Sequence, residues 1–404
     1  MLSATFNIKC DLITKSGKYD ISNYVKSIII QHSIRQKLPR VIIVVEKVVE
    51  QITSVINIIS AHLQIESIVQ NKTSLVKNVF DLYPSEVTLD ITMQSSRKQL
   101  PSQSSLPLYF TIAPCYDYAY KTHETKIFHN TNVEKVLDFL VKENGADYQC
   151  KYPSKQNIEQ LVFPPRAIID SLNYFNFTFS FTENINLLTI NYDYEKRKPL
   201  VVIQDVKEHF QKDDYDIEIE ILDPVNSKDK EISQKHYFDK KFFISTYTQV
   251  LRNQVGQLLY NDYVFINKPS NKLFEVYRRK YNDVAVYYRK FDLTKNSCLK
   301  AIHKNQIFSL TNFTGNDYNY SSVNSKFQEE VLKATKIMLK LENILNLENL
   351  YVGSIVKLQH KDLNLKQFMG LFALTDFQYV LTREKSADWQ NYVDLIVCRT
   401  NMVW

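Results

Sequence analysis

Glycine is nearly missing from this 404-residue chain: it has six, where average usage would give about 28. They are Gly17, Gly145, Gly256, Gly315, Gly353 and Gly370, and no two lie close together. Phosphate-cradling loops need several glycines within a few residues, so that backbone N–H groups can converge on the anion. The signatures of P-loop NTPases, dinucleotide-binding Rossmann enzymes, kinases and nucleophile-elbow hydrolases are therefore excluded, and so are collagen-like and Gly/Ser linker segments. Cysteine is sparse as well. Of Cys10, Cys115, Cys150, Cys298 and Cys398, the closest pair is Cys115 and Cys150, 35 positions apart. That leaves no C-x-x-C for a zinc knuckle or a thioredoxin motif, and suits reduced, buried thiols. Long apolar runs are lacking: the longest purely aliphatic one is Val41 to Val45, far short of the roughly 20 residues of a membrane span. The opening Met1-Leu-Ser-Ala-Thr-Phe6 has neither a basic n-region nor an apolar core, so a signal peptide is not expected.

What is present is aromatic and β-branched. The chain holds 26 Tyr and 23 Phe, residues that favour strands. Its length corresponds to roughly two to four domains. Its net charge of +6 arises from 50 basic and 44 acidic residues, a mild excess that does not mark a dedicated nucleic-acid binder.

Period-two alternation predicts strands through Phe6, Ile8, Cys10 and Leu12, in 21–34 and 40–45, and through Val87, Leu89, Ile91 and Met93. Val48, Val49, Ile52, Val55, Ile56, Ile59 and Leu63 recur at three- and four-residue spacing and predict an amphipathic helix over 46–63. Residues 94–105 read as a polar loop and 106–113 as a strand. Thr131 and Glu134 have capping-box spacing ahead of Val133, Val136, Leu137 and Leu140, and Gly145 stands where a left-handed cap belongs. A second helix begins at Pro164-Pro165 and carries Ile168, Ile169 and Leu172. Phe175, Phe177, Phe179 and Phe181 then alternate with polar residues and predict a strand, with 187–194 as its hairpin partner. The charged run 195–199 is a candidate boundary. Tyr215, Ile217, Ile219 and Ile221 alternate with Asp216, Glu218 and Glu220. Residues 223–240 read as a charged loop, 241–323 as aromatic strands with one helix among them, 324–333 as a helix, and 334–345, 352–359, 370–380 and 391–399 as strands.

No catalytic constellation assembles from these patterns, and no metal- or cofactor-binding set is found. His123, Glu124 and His129 form the densest histidine group, but their spacing matches no metal motif and fits polar loop residues. Asp216, Glu218 and Glu220 share one strand face. That face could serve a two-carboxylate hydrolase, lie against solvent, or line a tube whose acidity keeps a polyanion sliding. Residues 274–291 interleave aromatic and basic side chains, as single-strand nucleic-acid binders do and as a two-strand ribbon or subunit interface also does. Asn71, Asn176, Asn312 and Asn319 head chance glycosylation sequons.

Two passages carry a resemblance. One is Phe128-His-Asn-Thr-Asn-Val-Glu-Lys-Val-Leu-Asp-Phe-Leu140, then Phe163-Pro-Pro165 and the helix Ile168-Ile-Asp-Ser-Leu-Asn-Tyr-Phe175. The other is Leu339-Lys-Leu-Glu-Asn-Ile-Leu-Asn-Leu347, Leu350-Tyr-Val-Gly-Ser-Ile-Val-Lys-Leu358, Phe372-Ala-Leu-Thr-Asp-Phe-Gln-Tyr-Val380 and Val393-Asp-Leu-Ile-Val-Cys398. This order resembles the baseplate central hub protein of contractile phage tails and is similar to the N-terminal half of type VI secretion spike proteins.

The resemblance implies an α+β, mainly β chain with two tube-like antiparallel β-barrel domains. The first barrel would be 1–125, the small α/β domain 126–199, the second barrel 200–235 with 334–404, and an inserted domain 236–333. It implies a structural virion protein without enzymatic activity or cofactor, assembled in the host cytoplasm and residing in the tail baseplate. The partners it implies are a homotrimer, a tail tube protein above, a central spike below, wedge or tape measure proteins, and DNA in transit. Asp216, Glu218 and Glu220 would then be channel-lining candidates. The alternatives are another tail structural or adaptor protein, such as a tube terminator or baseplate wedge component, and a cell-wall hydrolase.

Overall fold

The computed structural model describes residues 4–14, 17–34, 36, 38–45, 58–69, 75–89, 108–182, 186–194, 196–221, 241–244, 247–252, 264–267, 272–280, 283–287, 335–342, 347, 350–360, 369–383 and 389–399. Seven strands open the chain: β1 (Ala4–Thr14), β2 (Gly17–Asp20), β3 (Val25–Ser33), β4 (Arg40–Val45), β5 (Ile58–Val69), β6 (Leu75–Leu89) and β7 (Leu108–Ala113). They pair in the order β2-β1-β5-β6-β7-β4-β3. Alternation fixes their faces, because successive side chains point to opposite sides. Phe6, Ile8, Cys10 and Leu12 are buried, as the pattern predicts, and so are Val41, Ile43 and Val45.

A helical unit follows. It comprises α1 (Tyr116–Tyr120), β8 (Lys126–Thr131), α2 (Val133–Leu140), β9 (Asp147–Cys150), β10 (Ile158–Phe163), α3 (Ile168–Thr178), β11 (Asn186–Asp193), β12 (Lys198–Asp205) and α4 (Val206–Gln211). β8 and β10 form a two-stranded ribbon, and β9, β12 and β11 a three-stranded sheet. The chain then enters β13 (Ile217–Ile221), β14 (Lys241–Ile244) and β15 (Tyr247–Arg252). A separate sheet is formed by β16 (Val264–Asn267), β17 (Lys272–Lys280) and β18 (Asp283–Tyr287). The last strands are β19 (Thr335–Glu342), β20 (Ile355–His360), β21 (Gly370–Arg383) and β22 (Trp389–Arg399).

The mainly β, α+β class is as expected. The strands do not pair as two separate closed barrels, however. Among the described residues, β21 pairs with β3 from Asp376↔Ser33 to Thr382↔Ser27. This joins the N-terminal and C-terminal strands into one 14-stranded sheet, with β22, β19 and β15 branching from β21. The reason is local: Ile28 and Ile30 on β3 and Phe377, Tyr379 and Leu381 on β21 bury the same face, so edge-to-edge pairing extends a single core.

Three readings from sequence need correction. Residues 58–63 belong to β5 and not to a helix; 46–57 lie outside the described residues. β-branched side chains satisfy either period, and the pairing of β5 with β1 and β6 selects the strand. Second, α3 runs on to Thr178 through Phe175 and Phe177, which read as a strand, with Phe179 at its C-cap, and β11 takes β12 as its partner. Ile168, Leu172, Phe175 and Phe179 also follow helical spacing, and the Phe175 ring lies 5.5 Å from Phe179 and 4.7 Å from Phe181. Of the charged run, 196–197 form a turn that leads into β12 at Lys198. Third, α2 is capped by Asn132 and not Thr131: the Asn132 side chain accepts from the Lys135 N–H at 3.0 Å. Gly145 is left-handed, φ 86°, as its position suggested. Residues 94–105, 223–240 and 324–333 lie outside the described residues. The ribbon alternative for 274–291 matches the β17–β18 hairpin.

The α/β unit meets the C-terminal strands through Gly353. Its φ is +100°, and a Cβ there would stand 3.1 Å from Thr189 Oγ1 and 3.6 Å from Val202 Cγ1. Backbone strain and crowding then act together. We expect Gly353→Ala to lower the stability by about 2 kcal/mol, measured as a lower urea midpoint with an unchanged m-value.

Candidate functional site

β13 carries the acidic face. Ile217 and Ile219 are buried in the core, and Glu218 and Glu220 stand half-buried on the opposite side. β13 runs parallel to β20 and β14, so Glu218 is in register with Lys357 and Lys241, and Glu220 with Gln359 and Phe243. Lys357 Nζ bonds Asp213 at 2.6 Å and lies 4.9 Å from the Tyr215 ring. The Asp213 hydrogen bond holds its pKa above the ordinary lysine value. Glu218 therefore sits beside the Lys357 charge, whereas Glu220 is flanked in register by the uncharged Gln359 and Phe243.

Asp216 behaves differently. Its backbone N–H donates to Ile355 O at 2.9 Å, and its Oδ2 accepts from the Ile355 N–H at 2.8 Å and from Gln204 Nε2 at 3.1 Å. Burial raises its pKa, against the Ile355 N–H and His209, which lower it. Asp216 thus fastens the start of β13 to β20. Beside it, Asp214 accepts from Lys151 Nζ at 2.5 Å and from the Tyr152 hydroxyl at 2.7 Å, and lies 3.1 Å from His209 Nδ1. Burial pushes Asp214 up, but these donors and the His209 charge outweigh it and leave its pKa below the usual value.

The structure does not bring His123, Glu124 and His129 together as a metal site. His129 is exposed on β8, opposite Gln160. Among the described residues no group of three His, Cys, Asp or Glu is placed to hold a metal. His123 instead pairs with Ser171, which sequence reasoning missed. His123 Nδ1 faces Glu124 O at 2.7 Å and Nε2 faces Ser171 Oγ at 2.5 Å. This is the spacing of a nucleophile and its base. Both residues are buried, however, and Phe139 and Phe163 rings close on the imidazole at 5.4 and 5.9 Å. Helix α3 uses the pair to tie itself to the loop before β8. Sulfur chemistry is equally muted: burial pushes the Cys150 thiol up to about 12 and raises Cys10 and Cys115 further.

A second polar group joins three parts of the chain. The Thr189 hydroxyl donates to Val352 O at 2.7 Å. Asn191 Nδ2 donates to the same carbonyl at 3.1 Å and to Thr189 Oγ1 at 2.9 Å. This leaves Asn191 Oδ1 facing His32 Nδ1 at 3.0 Å. A carbonyl can only accept, so the amide orientation is fixed, Nδ1 carries the imidazole proton, and Nε2 is left as an acceptor. Burial, opposed by the Asn191 and Gln36 contacts and by Asp376, lowers the His32 pKa to about 4. The imidazole is therefore neutral near pH 7.

No protein-family profile matches the chain, and no curated protein sequence matches it. Solved structures do. The chain is similar to a tail protein from Neisseria meningitidis MC58, at 8% identity and TM-score 0.46 over 98% of this chain and 97% of that one. It is similar to the 43 kDa tail protein of prophage MuSo2 from Shewanella oneidensis, at 8% identity and TM-score 0.46 over 97% and 96%. It is also similar to a chain of the Francisella PdpA–VgrG complex, at 11% identity and TM-score 0.47 over 99% of this chain and 59% of that one.

Proposed function

We propose that this protein is a structural component of a phage-type tail: the baseplate central hub, a homotrimer that joins a sixfold tail tube to a threefold spike and encloses the DNA channel. The observation that carries this reading is the β21–β3 pairing. It fuses the terminal halves, both rich in strands, into one wall with an apolar core face and a polar outer face, and the two passages of hub resemblance fall within the α/β unit and that wall. A chain built this way works by holding surfaces in place. The nucleophile–base pair of Ser171 and His123 lies under aromatic rings and serves packing. Within the ring, Glu218 and Glu220 face the channel, where carboxylates repel phosphates and leave a polyanion mobile. Asp216 is held to Ile355 and Gln204 and contributes less. Tube, spike, wedge and tape measure proteins are the partners of this reading, and the virion baseplate is its place.

Light scattering on the purified chain tests it. We expect a mass three times 47.5 kDa, and rings with threefold symmetry in electron micrographs. A chain that stays monomeric overturns the hub assignment. A ring with Glu218 outside the channel overturns only the lining.

A further inference from the structure

A cavity of about 370 Å³ opens over β19, β22, β21 and β3. Its lining includes Gln31, His32, Gln36, Asp376, Gln378 and Asp394, and no lysine or arginine. The register explains the grouping. Asp394 is opposite Gln378, and Gln378 opposite Gln31, so the three form one row across three strands; Asp376, opposite Ser33, begins the next row. Directly paired residues share a face.

These side chains are sparsely partnered. Among the described residues the side chains of Gln31, Gln378 and Asp394 enter no hydrogen bond or salt bridge, and Asp394 interacts with the charge of Lys340. Asp376 accepts only from the Thr375 hydroxyl, at 2.8 Å on Oδ2. His32 is 3% exposed and its Nε2 has no partner, and the buried Gln36 Oε1 has none. Two cations stand at the ends of the row. Lys340, opposite Asp394, is turned over the Tyr392 ring at 4.4 Å, and Arg40, opposite Gln31, is exposed. Burial raises the pKa of Asp394, and the charge of Lys340, its partner in register, opposes the rise.

We propose that this cavity receives a lysine or arginine side chain from a partner polypeptide. Two carboxylates and the Gln31 and Gln378 amides line it without a lining cation, which is the complement of an ammonium or guanidinium group. The volume lies at the low end of ligand pockets, about 300–1,000 Å³, and exceeds what a bare ion fills. This assignment stands apart from the channel reading, because it rests on the cavity's own chemistry.

Calorimetric titration of the full chain with the peptide acetyl-Gly-Arg-Gly-Arg-Gly-amide tests it, with citrulline in place of arginine as the uncharged control. We expect the arginine peptide to bind at least tenfold more tightly than the citrulline peptide, and Asp376→Asn and Asp394→Asn each to weaken it at least tenfold. Asp394→Asn removes a half-buried charge that burial disfavours, so its melting temperature should equal or exceed that of the parent chain, which separates lost binding from lost folding. Equal binding of both peptides, no binding, or arginine binding unaffected by either substitution overturns the proposal. So does manganese alone binding the parent chain and failing to bind the two variants, which would make the cavity a metal site. None of these outcomes bears on trimer formation, so the hub assignment stands or falls separately.

Discussion

Asn191→Leu should lower the stability by about 3 kcal/mol, although leucine matches asparagine closely in size. Asn191 is 3% exposed, and its one amide satisfies groups from three segments: His32 on β3, Thr189 on β11 and the Val352 carbonyl ahead of β20. Leucine leaves the buried His32 Nδ1–H without an acceptor. It also removes one of the two donors on Val352 O. A buried donor stripped of its partner costs about 1–3 kcal/mol, and the lost amide bonds add to that. Asn191→Asp should be worse, because a carboxylate oxygen would then oppose the Val352 carbonyl, an acceptor facing an acceptor. Urea unfolding followed by tryptophan fluorescence measures both. A loss under about 1 kcal/mol for leucine would show that the junction is held by packing and not by this network.

Acidification should destabilise the same junction. The folded-state pKa of His32 is about 4 against an ordinary 6.5, so between these values the unfolded chain binds the extra proton and the folded chain does not. Stability from this group is fully present above pH 6.5 and is lost as pH falls toward 4. The difference corresponds to about 3 kcal/mol at 1.36 kcal/mol per pKa unit. Asp216 and Asp394 act in the opposite sense, since their raised values let the folded chain take up protons first. The carboxylates of Asp20, Asp147 and Asp214 are lowered and lose their contribution only below the usual carboxylate range. Comparing the parent chain with His32→Gln isolates the histidine. The parent should lose stability more steeply between pH 6.5 and 4, and parallel curves would refute the assignment.

The strands were legible where polar and apolar residues alternate without competition. β1, β4 and β13 fall where Cys10, Ile43 and Ile219 predict them, because a period of two leaves only one face to bury. Legibility failed where a segment satisfied two periods at once. Ile58–Leu63 and Phe175–Phe181 fit helix or strand by spacing, and contact with β1 and β6 in one case, and with Phe163 and Phe181 rings in the other, made the choice. Asn132 was passed over as a cap because Thr131 offered a more familiar spacing with Glu134.

The sites divide in the same way. That Glu218 and Glu220 share a face follows from the strand period alone. That Lys357 flanks Glu218, that Asp216 is held by Ile355, and that Ser171 meets His123 depend on residues 48 to 139 positions apart, which no local pattern encodes.

The sequence by itself settled what this protein lacks: with six scattered glycines no phosphate loop can form, because convergent N–H groups need consecutive freedom in φ. It also settled which residues turn inward along each clear strand. Tertiary structure alone decided that the two ends of the chain share one sheet, that Gly353 must remain glycine against Thr189, and that Asp376, Gln378 and Asp394 meet Gln31 in one cavity. Those outcomes depend on which strand edges pair, a matter of long-range burial between segments whose local patterns are alike.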